Sequence, residues 1–269
     1  MSFDSVGPRI LVFDSGLGGL TVFAPISAAR PDATLTYVAD DAFFPYGELS
    51  EAALVERVVS LMGELAAAFA PDLVVIACNT ASTLVLGPLR ARFPDLPFVG
   101  TVPAIKPAAA ASRSRLVSVL ATPGTVARDY TRALIREFAG DCEVTLVGSR
   151  RLAGLAERAL RGEPAPDAEI AAEIAPAYVA RDARRTDQIV LACTHFPLLA
   201  ERLRAIAPWE AELVDPGPAI ARRVDALVGP VGPHRRADLS RAIFTSGAAA
   251  PFALQKALRE RGLTISSAS

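Results

Sequence analysis

Lysine is nearly absent from this chain. Lys106 and Lys256 are the only two in 269 residues, so almost all positive charge is arginine. A basic surplus is missing as well: 28 Lys and Arg stand against 29 Asp and Glu, for a formal charge of -1. A nucleic-acid footprint needs clustered basic excess, so the charge balance argues against that class of partner. Cysteine is scarce too. Three cysteines are too few for a disulfide scaffold, and in a chain of cytoplasmic character they are expected to be buried, metal-binding or catalytic. The longest uncharged run, residues 73–89, has 17 residues and is broken by Asn79, Gly87 and Pro88, so no membrane span is expected. The N-terminal MSFDSVGPRI carries neither a basic region nor an apolar core, and nothing in it points to secretion. Hydrophobic residues, in contrast, are plentiful at 51%, enough for one large domain or two small ones with cores of their own.

The pattern along the chain is strand, helix, strand, helix. Arg9-Ile-Leu-Val-Phe13 is an apolar run closed by Asp14-Ser-Gly-Leu-Gly-Gly19, which reads as a buried strand followed by a helix over residues 20–29. A second strand covers residues 35–39, and a polar loop with Pro and Gly fills residues 40–50. An amphipathic helix then runs from Glu51 to about Ala68, with Ser50 as its cap and Glu51 in its first turn. The third strand, residues 73–77, leads straight into Cys78-Asn79-Thr80. Such an order predicts a parallel sheet covered on both faces.

The second half repeats this order. Asp72-Leu-Val-Val-Ile-Ala-Cys78 aligns with Asp187-Gln-Ile-Val-Leu-Ala-Cys193 at an offset of 115, and Phe98-Val99 falls on Leu213-Val214 at the same offset. Residues 9–14 resemble residues 116–121, each followed by a hydroxyl residue (Ser15, Thr122), and residues 35–39 find a partner in residues 143–147. A repeat of this length implies two similar parallel-sheet α/β domains related by pseudo-symmetry, with an active site in the cleft between them. The boundary is expected within residues 100–107, where Pro103 and Pro107 should interrupt any regular element, and the chain should cross back near residues 215–218. The first domain is therefore 1–102 plus 215–269 and the second 103–214. In the returning part, a helix is expected over 219–228, a loop over 229–233, a strand over 242–245 and a helix over 251–261.

Ligands of open parallel sheets bind at the carboxyl ends of the strands. Asp14-Ser15, Cys78-Asn79-Thr80, Thr122 and Cys193-Thr194-His195 all stand at such ends. A cysteine after an apolar strand is ordinarily a small core residue. The repeat changes that reading, because it puts Cys78 and Cys193 in equivalent places, each followed by polar residues. A thiol ionises near ~8.5, so a modest shift makes its thiolate a base or nucleophile at neutral pH. His195 and Asp14 are the nearest groups to relay protons, although Asp14 could equally stabilise the tight turn. Cys142 and His234 read as ordinary residues. Glu157, on an arginine-rich helix, reads by default as a solvated face residue. Gly16-Leu-Gly-Gly19 lacks the dinucleotide-binding spacing, and no Gly-Lys-Ser/Thr phosphate loop occurs. Cys193, His195 and Cys78 could meet at a metal, but no Cys-x-x-Cys or close His pair supports one, and no metal is expected. Neither lysine ends a sheet strand, which disfavours pyridoxal phosphate.

Five blocks carry a resemblance. Phe13-Asp-Ser-Gly-Leu-Gly-Gly-Leu-Thr21, Ala39-Asp-Asp-Ala-Phe-Phe-Pro-Tyr-Gly47, Ile76-Ala-Cys-Asn-Thr-Ala-Ser82, Leu120-Ala-Thr-Pro-Gly-Thr-Val126 and Leu191-Ala-Cys-Thr-His-Phe-Pro-Leu-Leu199 span almost the whole chain. Together they resemble the glutamate racemases of the cofactor-independent aspartate/glutamate racemase superfamily. The resemblance implies inversion of L- and D-glutamate by two thiol bases, with no cofactor, in the supply of D-glutamate for peptidoglycan. Cys78 would act on D-glutamate and Cys193 on L-glutamate, with Asp14 assisting Cys78 and His195 assisting Cys193. Two bases within roughly 3–4 Å of one α-carbon need sulfurs about 6–8 Å apart, too far for a disulfide. Ser15, Asn79, Thr80 and Thr194 would hold the α-amino and α-carboxylate groups. Tyr46 and Gly47 would line the glutamate pocket, partly through backbone donors, and Thr122, Asp14 and His195 complete the set of binding residues. Glu157 matches the family's assisting glutamate by register, although Ser149-Arg150-Arg151 stands where the family usually shows a Cys-Pro pair. The stem of residues 1–8 is short, which implies no extension for activation by a nucleotide sugar. Relatives often form dimers, so a homodimer is an expectation. Two rivals stay open: a racemase for aspartate, hydantoins or a related acid, and a binding protein that has lost turnover and acts on a partner such as DNA gyrase.

Overall fold

A computed structural model describes residues 7–233 and 240–266; His234 lies outside the described residues, as do residues 1–6 of the stem. The chain divides into two compact units, one built from the described residues up to Thr101 and from Gly217 onward, the other from Val102–Pro216. The strands are β1 (Arg9–Asp14), β2 (Thr34–Ala39), β3 (Leu73–Ile76), β4 (Phe98–Gly100), β5 (Leu116–Ala121), β6 (Glu143–Gly148), β7 (Ala180–Arg181), β8 (Arg184–Arg185), β9 (Gln188–Ala192), β10 (Glu212–Val214), β11 (Ser240–Phe244) and β12 (Leu263–Ile265). The helices are α1 (Leu20–Ala29), α2 (Glu51–Phe69), α3 (Asn79–Arg92), α4 (Ile105–Ala111), α5 (Pro123–Ala127), α6 (Asp129–Phe138), α7 (Leu152–Arg161), α8 (Asp167–Ile174), α9 (Ala200–Ala205), α10 (Gly217–Val228) and α11 (Phe252–Glu260).

The first unit holds a six-stranded sheet in the order β12-β11-β2-β1-β3-β4, with every pairing parallel. The second holds a parallel four-stranded sheet, β10-β9-β5-β6, and a small antiparallel β7-β8 hairpin. The strand pairs matched in sequence occupy matching places. β2-β1-β3-β4 in one unit and β6-β5-β9-β10 in the other have the same order. The two α/β units thus share a topology, and the parallel α/β class read from the sequence is what the chain adopts.

Burial explains the elements. β3 and β9 are buried along their full lengths, as strands covered on both faces must be. On α2 the residues Leu54, Val58, Leu61, Met62 and Leu65 form one buried stripe at helical spacing. They pack with Leu11, Phe13, Val74 and Ile76 of the sheet, each fully buried aliphatic side chain contributing about 1.5–3 kcal/mol. Ser50 Oγ accepts a hydrogen bond from Ala53 N at 3.2 Å and caps the helix. In the second unit, Leu120, Ile189 and Leu191 pack with Leu152, Leu155 and Ile170.

Three local outcomes differ from the pattern-based expectation. Residues 79–92, unassigned by pattern, form α3 despite Gly87 and Pro88. Pro107 does not interrupt regular structure: it lies in the first turn of α4, where the missing N–H has no intrahelical acceptor to lose. Residues 263–265, also unassigned, add β12 to the first sheet through pairing with β11.

Candidate active site

In the first unit the functional side chains gather at the carboxyl ends of β1, β2 and β3. Asp14 closes β1 and is fully buried; its Oδ2 accepts hydrogen bonds from Gly16 N at 3.1 Å and Gly19 N at 2.9 Å. The turn-stabilising role that composition allowed is therefore real for that oxygen. Gly19 is required there, because a Cβ on it would lie 2.7 Å from the Asp14 Cβ and 3.1 Å from both Ala77 Cβ and Tyr37 Cε2. Cys78 follows β3 and is the N-cap residue of α3. Its thiol donates to Ser15 Oγ at 3.7 Å, and both side chains are buried. Cys78 stands at the start of a 14-residue helix, where the positive end of the helix dipole favours negative charge. Asn79 is 2% exposed, and neither its amide nitrogen nor its amide oxygen has a hydrogen-bond partner among the described residues. An orphan amide of this kind costs about 1–3 kcal/mol, the arrangement expected of a group that meets a ligand. Thr80 is buried beside it on α3.

The loop after β2 carries Tyr46 and Gly47. Tyr46 is buried in the same core cluster as Cys78, and its hydroxyl donates to Asp40 Oδ2 at 2.6 Å. Burial, and after it the charges of Asp40, Cys78 and Asp14, push the phenol far above its ordinary range, so it stays protonated. Gly47 sits in a one-turn 3-10 helix, is exposed, and has open space where a Cβ would stand.

The second unit builds a different cluster on the equivalent strand ends. Cys193 follows β9, and its sulfur lies 4.0 Å from His195 Nδ1. His195 Nε2 in turn lies 2.8 Å from Glu157 Oε1. Glu157 is a buried residue of α7, not a solvated face residue, and its other oxygen accepts from Arg161 Nε at 3.4 Å. The tautomer that donates from Nε2 to Glu157 leaves Nδ1 as an acceptor for the thiol proton. Thr194 is buried between Cys193 and His195. Thr122 follows β5, is half-buried, and caps α5 by accepting from Thr125 N at 3.3 Å.

Cys142 is a half-buried free cysteine on the edge of the second unit's core; its thiol donates to Asp141 Oδ1 at 3.6 Å, and burial raises its pKa. Among the described residues no group of three or more His, Cys, Asp and Glu is placed to hold a metal ion, and no helix is long and apolar enough to cross a membrane.

Sequence reasoning missed Asp40, Arg57 and Thr245. Asp40 is fully buried and accepts four hydrogen bonds: from Tyr46, from Arg57 Nε at 3.0 Å and Nη2 at 2.6 Å, and from Thr245 Oγ1 at 2.7 Å. Burial alone would raise its carboxyl, but the bonds from Arg57, Tyr46 and Thr245 outweigh that effect and hold it below its ordinary value. A signal existed, since Asp40 directly follows β2 as Ser15 follows β1, next to the carboxyl ends of the strands. Arg57 also falls on the edge of the Leu54–Val58–Leu61 stripe, an odd place for a cation without a partner.

Each of the two parallel α/β units carries a cysteine just beyond the same strand end, Cys78 after β3 and Cys193 after β9. A family model described as Asp/Glu/Hydantoin racemase matches residues 22–224, and the chain belongs to that family; it is a racemase. Its relatives include the glutamate racemase of Brucella anthropi, 57% identical over 229 residues covering 85% of this chain and 81% of the relative. The glutamate racemase of Sinorhizobium fredii is 53% identical over 260 residues, covering 96% and 97%. Among solved structures, Escherichia coli glutamate racemase in complex with L-glutamate and the activator UDP-MurNAc-Ala superposes with a TM-score of 0.88 at 41% identity, covering 97% of each chain.

Proposed function

We propose that this chain is a cofactor-independent glutamate racemase that interconverts L- and D-glutamate with Cys78 and Cys193 as its two bases, supplying D-glutamate for peptidoglycan in the cytoplasm. The observation that carries the proposal is the occurrence of one buried, hydrogen-bonded cysteine at the equivalent strand end of each unit. The Cys193 thiolate takes the α-proton of L-glutamate, leaving the electron pair on the α-carbon, conjugated into the carboxylate. The Cys78 thiol delivers its proton to the opposite face. D-Glutamate leaves, and the enzyme is left with a Cys78 thiolate and a Cys193 thiol, ready for the reverse reaction. His195 receives and returns the Cys193 proton, Glu157 orients His195, and Asp14 and Ser15 serve Cys78. Asn79, Thr80 and Thr194 bind the α-amino and α-carboxylate groups, Thr122 adds a hydroxyl, and the Tyr46–Gly47 turn borders the side-chain pocket. The names of relatives at 52–57% identity over more than four-fifths of the chain support glutamate over other acids.

The test is proton NMR of L-glutamate in D₂O with purified protein and no added cofactor, beside an L-aspartate control. Loss of the glutamate α-proton signal with aspartate untouched is the expected result. Exchange of aspartate instead moves the substrate to another acid, and no exchange with either refutes the proposal.

A further inference from the structure

Asp40 stands where three separate segments of the first unit converge, and each of them donates to its carboxylate. The Tyr46 hydroxyl comes from the loop that follows β2, Arg57 from α2, and Thr245 from the residue after β11. The sheet register explains the last contact. β11 pairs with β2 so that Phe244 faces Ala39, and one step further Thr245 faces Asp40, with Thr245 N donating to Ala39 O at 3.1 Å. Three more hydrogen bonds pin the loop at the same junction. Ala42 N donates to Thr245 Oγ1 at 3.3 Å, and Asp41 accepts from Ser246 N at 2.9 Å and Oγ at 2.6 Å. Arg57 also lies over the Phe43 ring, 4.2 Å from its centroid. A carboxylate that already accepts four hydrogen bonds and is closed to solvent is poorly placed to exchange protons with a substrate. It is well placed to hold a loop.

We propose that Asp40 is a positioning residue that acts with Arg57 and Thr245 to fix Tyr46 and the adjoining turn in the geometry that receives the substrate. The proposal rests on the racemase reading above and deepens it. Tyr46 has one phenolic hydrogen and donates it to Asp40, so it contributes to the substrate pocket through its ring, its lone pairs and its backbone. Arg57 has a second effect. An acidic substrate approaching a buried, bare carboxylate would be repelled, and the bidentate guanidinium cancels that charge.

Steady-state kinetics of variants in both directions test this. Asp40→Asn should raise the KM for glutamate about tenfold, a change worth about 1.4 kcal/mol, while kcat stays within about threefold. Thr245→Val, which keeps shape and loses the donor to Asp40 and the acceptor for Ala42 N, should raise KM about threefold, and Thr245→Ser should restore it. Because Asp40 acts through Tyr46, the Asp40→Asn/Tyr46→Phe double variant should be no worse than the more affected single variant. Thr245→Val and Thr245→Ser carry the test if Asp40→Asn does not fold. An unchanged KM in the folded variants, a collapse of kcat at unchanged KM, or additive effects in the double variant would each overturn the proposal. Wild-type protein that exchanges no glutamate α-proton refutes the glutamate reading itself, and the proposal with it, before any variant is compared.

Discussion

The two cysteine sites sit on the same scaffold and are equipped differently. The backbone matches where the first two strands of each unit end. Asp40 N donates to Asp14 O at 2.8 Å in one unit, and Ser149 N donates to Ala121 O at 2.8 Å at the equivalent place in the other. The side chains part ways there. The first unit puts acids at the ends of its first two strands, Asp14 and Asp40, where the second has Ala121 and Ser149. Cys78 opens a long helix and bonds to a hydroxyl, whereas Cys193 precedes a short 3-10 turn (Phe196–Leu199) and faces an imidazole backed by a carboxylate. A duplicated fold therefore repeats the position of a thiol without repeating how it is served. The helix N-terminus stands beside Cys78 by backbone geometry alone, whereas His195 and Glu157 stand beside Cys193 as side chains.

Several changes would break or sharpen this comparison. The largest effects belong to the thiols. Cys78→Ser and Cys193→Ser should each cut inversion by about 10³-fold or more in both directions while circular dichroism stays native. Full turnover in either variant would end the two-base scheme. His195→Asn comes next, with a loss of about 10²-fold in kcat/KM. L- and D-glutamate have equal free energies, so that loss must be equal in both directions, and the asymmetry has to be sought elsewhere. Slowing proton transfer at Cys193 should enlarge the α-deuterium isotope effect for L-glutamate and diminish it for D-glutamate. Equal isotope effects would show that His195 does not serve Cys193 in particular. Glu157→Gln should lower kcat by about tenfold through the loosened imidazole, with an isotope-effect pattern of the same sign as His195→Asn.

Smaller effects bear on stability. Gly19→Ala should destabilise the first unit by about 1–3 kcal/mol, read as a lower Tm, because its Cβ would collide with Asp14. The pH dependence has a definite sign. The Asp40 carboxyl titrates lower when folded than when unfolded, so its stabilisation is present above the unfolded value near ~3.9 and is lost as pH falls through the folded value. Denaturation in acid should consequently be less steep for Asp40→Asn than for wild type, while substitution of Ser149, the equivalent position in the second unit, should leave that slope unchanged.

Much of the molecule is legible in one dimension. Apolar runs of strand length, glycines after β1 and the Ser50 cap depend on neighbours within a few residues, and the buried strand and capped helix they imply are what the fold shows. The repeat between residues 72–78 and 187–193 likewise located both cysteines, because a strand buried on both faces has little freedom of composition. β12 was not legible. Its three residues become a strand only because the exposed edge of β11 is there to pair with them. Asp40 shows the same limit from the side of chemistry: its partners lie 6, 17 and 205 residues away. No local pattern announces a bond across that separation. Glu157 is the converse case, an acid on an arginine-rich helix that pattern alone leaves on a wet surface and that only the register of the family resemblance marked out. Only the packing of α7 against the turn after β9 removes it from water and brings it to His195. By itself the sequence determined where most of the sheet strands, several helices and both thiols fall, since those follow from short-range sterics and hydrophobic spacing. The tertiary structure decided which charges are buried together, because burial is a property of the assembled layers and belongs to no segment alone.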